Sequence, residues 1–93
     1  MLFIVKWTSG PENRNAAIER FAKTGGKPPA GIKMLGRWFA VAQHSGFAVA
    51  EANDSALMQQ WALEWNDILS MEVWPALTDE QAGPLMVAAL GKK

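Results

Sequence analysis

Four of the charged residues in predicted strands are candidates for chemistry, because alternation would bring their side chains to one face of a sheet. They are Lys6, Arg37, Glu51 and Glu72, two cations and two carboxylates. Glu51 and Glu72 could work as paired carboxylates in acid–base chemistry, with Lys6 and Arg37 holding them ionised. The alternative, which we favour, is an ion network that satisfies itself, because buried charges need partners. If that network is incomplete, its unpaired member is the place for an anionic or polar group of a ligand.

Large aromatic side chains form the second group with possible chemistry. Trp61 and Trp65 lie four residues apart, a spacing that places both indoles on one face of a helix. They are predicted to be core residues or the wall of a pocket, where indoles could stack a flat aromatic ligand. Asp67 follows them near the negative end of the helix, so we expect it to have a specific partner. Further candidates for the same wall are Trp7, Trp38, Phe39 and Trp74.

Composition excludes several functional classes. Lys plus Arg and Asp plus Glu number 9 each, and a net charge of zero argues against binding nucleic acid or a membrane surface through a basic patch. Without Cys the chain has no disulfides, thiolate metal sites or Cys nucleophile. His44, the single His, falls in a predicted turn and is expected to be solvated. One His without Cys makes a poor zinc site, and we expect no metal and no cofactor.

The chain begins with a short apolar run, Met1 to Val5, before Lys6. A signal peptide needs an apolar stretch of about 7–15 residues and a membrane span needs roughly 20. We therefore predict a soluble, cytoplasmic protein.

Residue patterns predict one α+β domain over residues 1–93, with a core over 1–77, a helical extension over 78–91 and a basic tail at the end. The predicted strands cover 2–8, 33–42, 46–52 and 70–77. Helices are predicted after Pro11, after Asn53-Asp54-Ser55, and at the capping box Thr78–Gln81. The order β-α-β-β-α-β is the ferredoxin-like unit, here with an extra C-terminal helix. Its sheet would have four antiparallel strands with two helices on one face.

Local signals add finer predictions. Gly25-Gly26 is predicted to end the first helix. Pro75 predicts an edge strand or a bulge, and Pro84 predicts a kink or a restart of the last helix at Leu85. A hairpin centred on His44 would pair Val41 with Phe47, Phe39 with Val49 and Arg37 with Glu51.

Strict alternation sorts the strand residues into two faces. The face predicted to lie under the helices carries Phe3, Val5, Trp7, Met34, Trp38, Ala40, Ala48, Ala50, Met71 and Val73. The face predicted to be open carries Ile4, Lys6, Leu35, Arg37, Phe39, Val41, Phe47, Val49, Glu51, Glu72 and Trp74. An apolar face this wide does not stay in contact with water. We therefore expect a homodimer through the sheet face, with a possible cavity between sheet and helices or between subunits.

Several short motifs run along the chain. They are Met1-Leu2-Phe3, Pro11-Glu12-Asn13-Arg14, Gly25-Gly26, Leu35-Gly36-Arg37-Trp38, Trp61-x-x-x-Trp65-x-Asp67 and Met71-Glu72-Val73-x-Pro75. Through these motifs the chain resembles the family catalogued as domain of unknown function 3303, over residues 1 to about 85. That resemblance implies a ferredoxin-like protein of the dimeric α/β-barrel group, which also holds small monooxygenases, isomerases, chlorite dismutase relatives and haem-degrading enzymes.

Three functions remain open at this point. The preferred one is a small binding protein, a homodimer whose pocket takes an apolar or aromatic small molecule. The first alternative is a cofactor-independent monooxygenase or isomerase, and the second is a purely structural dimer. The pocket would take its polar groups from Arg37, Glu51, Glu72 and Lys6, and its walls from Trp38, Phe39, Trp61, Trp65 and Trp74.

Overall fold

The secondary-structure elements follow the predicted order. The computed structural model describes residues 1–91. Four strands form the sheet: β1 (Leu2–Thr8), β2 (Ile32–Phe39), β3 (Ser45–Ala52) and β4 (Ser70–Ala76). Three α-helices are present: α1 (Arg14–Thr24), which follows a short 3-10 turn, α2 (Ser55–Leu63) and α3 (Asp79–Leu90). The basic tail is predicted partly over residues 92 and 93, which lie outside the described residues.

The sheet has the strand order β2-β3-β1-β4, and each neighbouring pair is antiparallel. This arrangement confirms the predicted α+β fold with a four-stranded antiparallel sheet, and it is consistent with a ferredoxin-like protein. Strand β4 lies at the edge of the sheet. Edge strands tolerate proline, which has no backbone N–H to donate to a neighbouring strand. The predicted edge position of Pro75 is therefore confirmed.

The core lies between the sheet and α2. Met58 and Trp61 of α2 are buried against Phe3 and Val5 of β1. Ala48 and Ala50 on β3 are completely buried, and their small side chains leave room for the larger ones around them. Six further residues pack against this core: Trp7, Met34, Leu57, Trp65, Met71 and Val73.

A β-bulge in β2 decides which of its residues face the helices. The ladder pairs Met34 with Ala50 and then Gly36 with Val49, so Leu35 is an extra residue on β2. An extra residue inverts the alternation of the side chains that follow it. From Gly36 onwards, β2 therefore presents each side chain to the face opposite the one that strict alternation predicts.

Arg37, Trp38 and Phe39 show this inversion. Arg37 pairs with the buried Ala48 and faces the helices. Trp38 pairs with Phe47 on the open face, and their stacked rings have centroids 5.2 Å apart. Phe39 faces the helices again, where its ring meets a ring of α1. The predicted positions of Arg37 and Phe39 on the open face, and of Trp38 under the helices, are therefore wrong.

The β2–β3 hairpin closes through a longer loop than predicted. Strand β2 ends at Phe39, which pairs with Gly46, and residues 40–44, including His44, form the loop. Ala42 and Gln43 adopt left-handed backbone angles (φ of 88° and 67°), which end regular strand pairing. The predicted pairs Val41–Phe47, Phe39–Val49 and Arg37–Glu51 are therefore wrong, and Val41 is fully exposed in the loop.

Several helix boundaries follow their local signals. Helix α1 ends at Gly25, which has a φ of 71°, as predicted. The Asp54 side chain accepts a hydrogen bond from the Ala56 N–H at the start of α2. Thr78 and Gln81 form the predicted capping box of α3.

Helix α3 passes through Pro84 without a break, so the predicted restart at Leu85 is wrong. A proline clashes with the Cβ of the residue before it when that residue is helical. Gly83 occupies that position and has no Cβ, which relieves the clash. No helix in the described residues 1–91 is long and apolar enough to cross a membrane.

Candidate functional site

A cavity of about 440 Å³ lies on the helix side of the sheet, under α1. Its walls come from the sheet, from α1, and from the end of α2 with the turns after it. Ile18, Phe21 and Phe39 each leave 37–45 % of their surface exposed, so the cavity is open to water. Its principal lining side chains are Trp7, Phe21, Arg37, Phe39, Trp61 and Trp65.

The cavity arises because the two helices on this face pack differently. Helix α2 buries Met58, Trp61 and Ala62, whereas α1 has no buried residue. Aromatic rings span the gap that is left under α1. The Phe39 ring meets Phe21 edge-on at a centroid distance of 5.7 Å, a geometry that aromatic pairs prefer.

Arg37 is the polar group that the sheet directs into this space. Its Nη1 donates to the Gly26 carbonyl at 2.7 Å and its Nη2 to the Gly25 carbonyl at 3.2 Å. The guanidinium also lies over the rings of Phe21 and Phe39, at 4.8 Å and 5.9 Å from their centroids. Burial lowers the pKa of Arg37 from its usual value, but a guanidinium stays protonated. The cation is thus fixed in position by carbonyl oxygens and rings, all of them neutral.

The side chains that line the cavity have a one-sided charge. Arg14 and Arg37 both line it, and its lining residues include no Asp or Glu. Ser9 and Gln43 supply neutral polar groups. The cavity therefore carries positive charge in a chain whose net charge is zero.

An ion pair holds α1 to the segment after α2. Arg20 donates to both carboxylate oxygens of Asp67, at 2.7 and 2.9 Å, and to the Glu64 carbonyl at 2.8 Å. The hydrogen bonds from Arg20 lower the pKa of Asp67 below its usual value and raise that of Arg20. The expected specific partner of Asp67 is confirmed. Within residues 1–91 this is the one ion pair, so Arg37 has no carboxylate partner there.

The predicted pocket residues separate into three groups. Arg37, Phe39, Trp61 and Trp65 come together at the cavity under α1. Lys6, Trp38 and Trp74 line a shallower depression of about 350 Å³ on the open face of the sheet, which Phe39 also reaches. Glu51 and Glu72 line neither space.

Strand register separates the two glutamates. Glu51 pairs with Leu2 on one side of β1, and Glu72 pairs with Lys6 on the other side. Four residues of β1 correspond to about 13 Å along the strand. The register therefore does not bring these carboxylates together as an acid–base pair. The ion network favoured for the four charged strand residues is also wrong, because Arg37 faces the helices and the one ion pair within residues 1–91 joins Arg20 to Asp67.

Arg14, Ile18 and Phe21 line the cavity but were not among the predicted site residues. A signal for them was present. Their spacing together with Ala17 places all four on one face of a helix. An arginine on an otherwise apolar helix face indicates a polar contact with whatever that face covers.

Comparison with known proteins identifies a family for the chain but no individual relative. No curated protein matches it. The family model described as Domain of unknown function (DUF3303) matches residues 1–90. Because this match covers nearly the whole chain, the protein belongs to the DUF3303 family.

Proposed function

We propose that the protein binds an apolar or aromatic small molecule in the cavity under α1. The observation that carries this proposal is a space of about 440 Å³ walled by aromatic rings from the sheet and from two helical segments. Sites for small molecules are typically concave, largely apolar and about 300–1,000 Å³ in volume, with a few polar groups. The cavity has each of these properties.

Burial of apolar surface would drive binding. Rings that line an open cavity are in contact with water, and removing apolar surface from water contributes about 25 cal/mol per Å². The indole of Trp61 belongs to the rigid core, and Trp65 packs against that core. This side of the cavity is therefore formed before a ligand arrives, which limits the entropy lost on binding.

Filling the cavity with a side chain tests the proposal. Ala17 lines the cavity on α1, so Ala17→Trp would place an indole in the space that a ligand needs. We expect wild-type protein to bind the neutral probe 2-naphthalenemethanol saturably, and Ala17→Trp to bind it at least about tenfold more weakly. Titration calorimetry measures both affinities.

The neighbouring residue supplies the control. Ala16 is exposed and does not line the cavity, so Ala16→Trp adds the same indole to the same helix outside it. This variant should keep the wild-type affinity. Equal affinity in all three proteins would place the probe elsewhere and contradict the proposal.

We also propose that two copies of the chain pack through the open face of the sheet. Trp38, Phe47 and Trp74 are 46–52 % exposed there. Large apolar residues grouped on a surface usually mark an interface. The charges on this face also favour a second copy as the partner. Lys6 lies beside Glu72 and Lys33 beside Glu51 in the strand ladders, so two cations face two carboxylates and the face is neutral. A neutral face meets its own copy without net repulsion.

A charge placed on this face should separate the copies. We expect wild-type protein to sediment with twice the mass of one chain and Phe47→Lys with the mass of one chain, because the new ammonium group would be buried without a partner. Val41→Lys adds the same charge in the exposed loop and should stay dimeric. Sedimentation equilibrium at high micromolar concentration measures these masses. A wild-type protein with the mass of one chain would contradict the proposal.

A further inference from the structure

We infer that the ligand of the cavity under α1 is an aromatic carboxylate whose acid group is bound by Arg37, with Arg14 as a second cation. This inference rests on the proposed function, since it names the chemical class of the ligand at that same site. Three features of the cavity support it: its charge, the unused donors of Arg37 and the way in which Arg37 is held.

The cavity has a local excess of positive charge. Two arginines line it without a carboxylate among the other lining residues. The chain as a whole has equal numbers of cationic and anionic side chains, 9 of each. An even distribution would place acidic groups beside the basic ones, so the excess of positive charge is local to this cavity. An anionic ligand would be attracted there and a cationic ligand repelled.

Within the described residues, Arg37 uses only some of its hydrogen-bond donors. A guanidinium has five N–H donors, and two of them are used in the bonds to the carbonyls of Gly25 and Gly26. Neither acceptor neutralises the charge. A partly buried cation without an anion is costly, and a carboxylate that reaches it offsets that cost while accepting two parallel hydrogen bonds. The fork of N–H groups fits a carboxylate better than it fits a neutral hydroxyl or carbonyl group.

Helix capping does not account for Arg37. Helix α1 already ends in a left-handed glycine, and the Gly25 N–H donates to the Phe21 carbonyl at 2.7 Å. That bond provides the C-terminal cap by itself. The contacts of Arg37 with Gly25, Gly26 and Phe21 instead fix the guanidinium against the wall of the cavity. A cation positioned in advance binds an anion without a further loss of side-chain entropy.

The remaining walls select the body of the ligand. The same space is lined by the aromatic residues Trp7, Phe21, Trp61 and Trp65. Aromatic rings pack against one another in stacked or edge-on geometry and gain energy beyond the area that they bury. A flat ring that carries one carboxylate satisfies both the walls and Arg37.

A matched pair of probes tests the inference. 2-Naphthoate and 2-naphthalenemethanol share the same ring system and differ in charge. We expect wild-type protein to bind 2-naphthoate about 10- to 100-fold more tightly than the alcohol, as a charge-assisted hydrogen-bonded pair would produce. In Arg37→Gln this ratio of affinities should fall close to one, and in Arg14→Gln it should fall by a smaller factor. Titration calorimetry at constant ionic strength measures both affinities in each protein.

The ratio distinguishes charge recognition from a structural effect. If Arg37 only shapes the cavity, Arg37→Gln weakens both probes equally and the ratio stays at the wild-type value, which would overturn the inference. Lys23→Gln removes the same charge from α1 outside the cavity and should leave the ratio unchanged. Arg14→Gln provides an independent reading if Arg37→Gln does not fold, because Arg14 is exposed. If wild-type protein binds both probes equally, the inference that the ligand is a carboxylate is wrong and the proposed function still stands. If it binds neither probe, the proposed function is wrong.

Discussion

Trp61→Ala is expected to lower the free energy of unfolding by about 3 to 5 kcal/mol. Trp61 is 6 % exposed and belongs to the cluster that joins α2 to β1 and β3. Truncating it removes a large ring from the core and merges the space left behind with the cavity under α1. Domains of this size have a total stability of about 5 to 15 kcal/mol, so the loss would be a large fraction of it. Urea unfolding followed by circular dichroism measures the change.

Leu63→Ala is the matched control on the same helix. Leu63 is 58 % exposed and faces away from the core, so its truncation should change stability by less than about 1 kcal/mol. A similar loss in both variants would mean that α2 does not pack on the sheet through Trp61. The burial of that indole also matters for binding, because a wall that moves cannot hold a ligand in one position.

Local sequence signals predicted those features of the fold that depend on a few neighbouring residues. The bounds of β1, the cap at Asp54 and the capping box from Thr78 to Gln81 are examples. In each case the hydrogen bond or the alternation is complete within about seven residues. The four-stranded antiparallel sheet also followed from the order of elements along the chain, because few topologies connect them with short loops.

The faces of β2 could not be predicted from alternation alone, because the bulge at Leu35 depends on pairing with β3. One local signal was nevertheless present. A glycine inside a strand often marks a bulge, and Gly36 follows Leu35 directly. The indole of Trp38 lies over Gly36, where a Cβ would overlap the ring. Applying that signal would have moved Arg37 and Phe39 to the helix side.

The candidate site was predicted in part for the same reason. Trp61 and Trp65 were assigned through helical spacing. Helix α2 ends at Leu63, so Trp65 is not on the helix as predicted, but the turns after α2 still place it at the cavity with Trp61. Arg37 was chosen for its charge but grouped with Glu51 and Glu72, since the inverted alternation was not foreseen. The cavity itself depends on the distance between α1 and the sheet, and this distance is a product of tertiary packing.

Gly46→Ala is expected to lower the free energy of unfolding by about 2 to 3 kcal/mol, because it overpacks the end of the sheet next to the β2–β3 loop. A Cβ at Gly46 would lie 2.6 Å from the Trp38 carbonyl oxygen and 2.5 Å from the Trp7 indole. The carbonyl belongs to the β2–β3 hairpin and cannot move without disturbing the ladder. The indole can move only by changing the cavity that it lines. The variant should therefore lose probe affinity as well as stability, as measured by urea unfolding and titration calorimetry.

Gly83→Ala makes the same chemical change where space is available. Apart from its two chain neighbours and the backbone of its own helix, no heavy atom of residues 1–91 lies within 4 Å of a Cβ at Gly83. Alanine favours the helix by about 0.5 to 1 kcal/mol relative to glycine, while Pro84 disfavours a Cβ on the residue before it. These opposing effects should leave stability within about 1 kcal/mol of wild type and the probe affinity unchanged. If Gly46→Ala were as stable as Gly83→Ala, the crowding between Trp7 and the β2–β3 hairpin would not determine the choice of glycine at position 46.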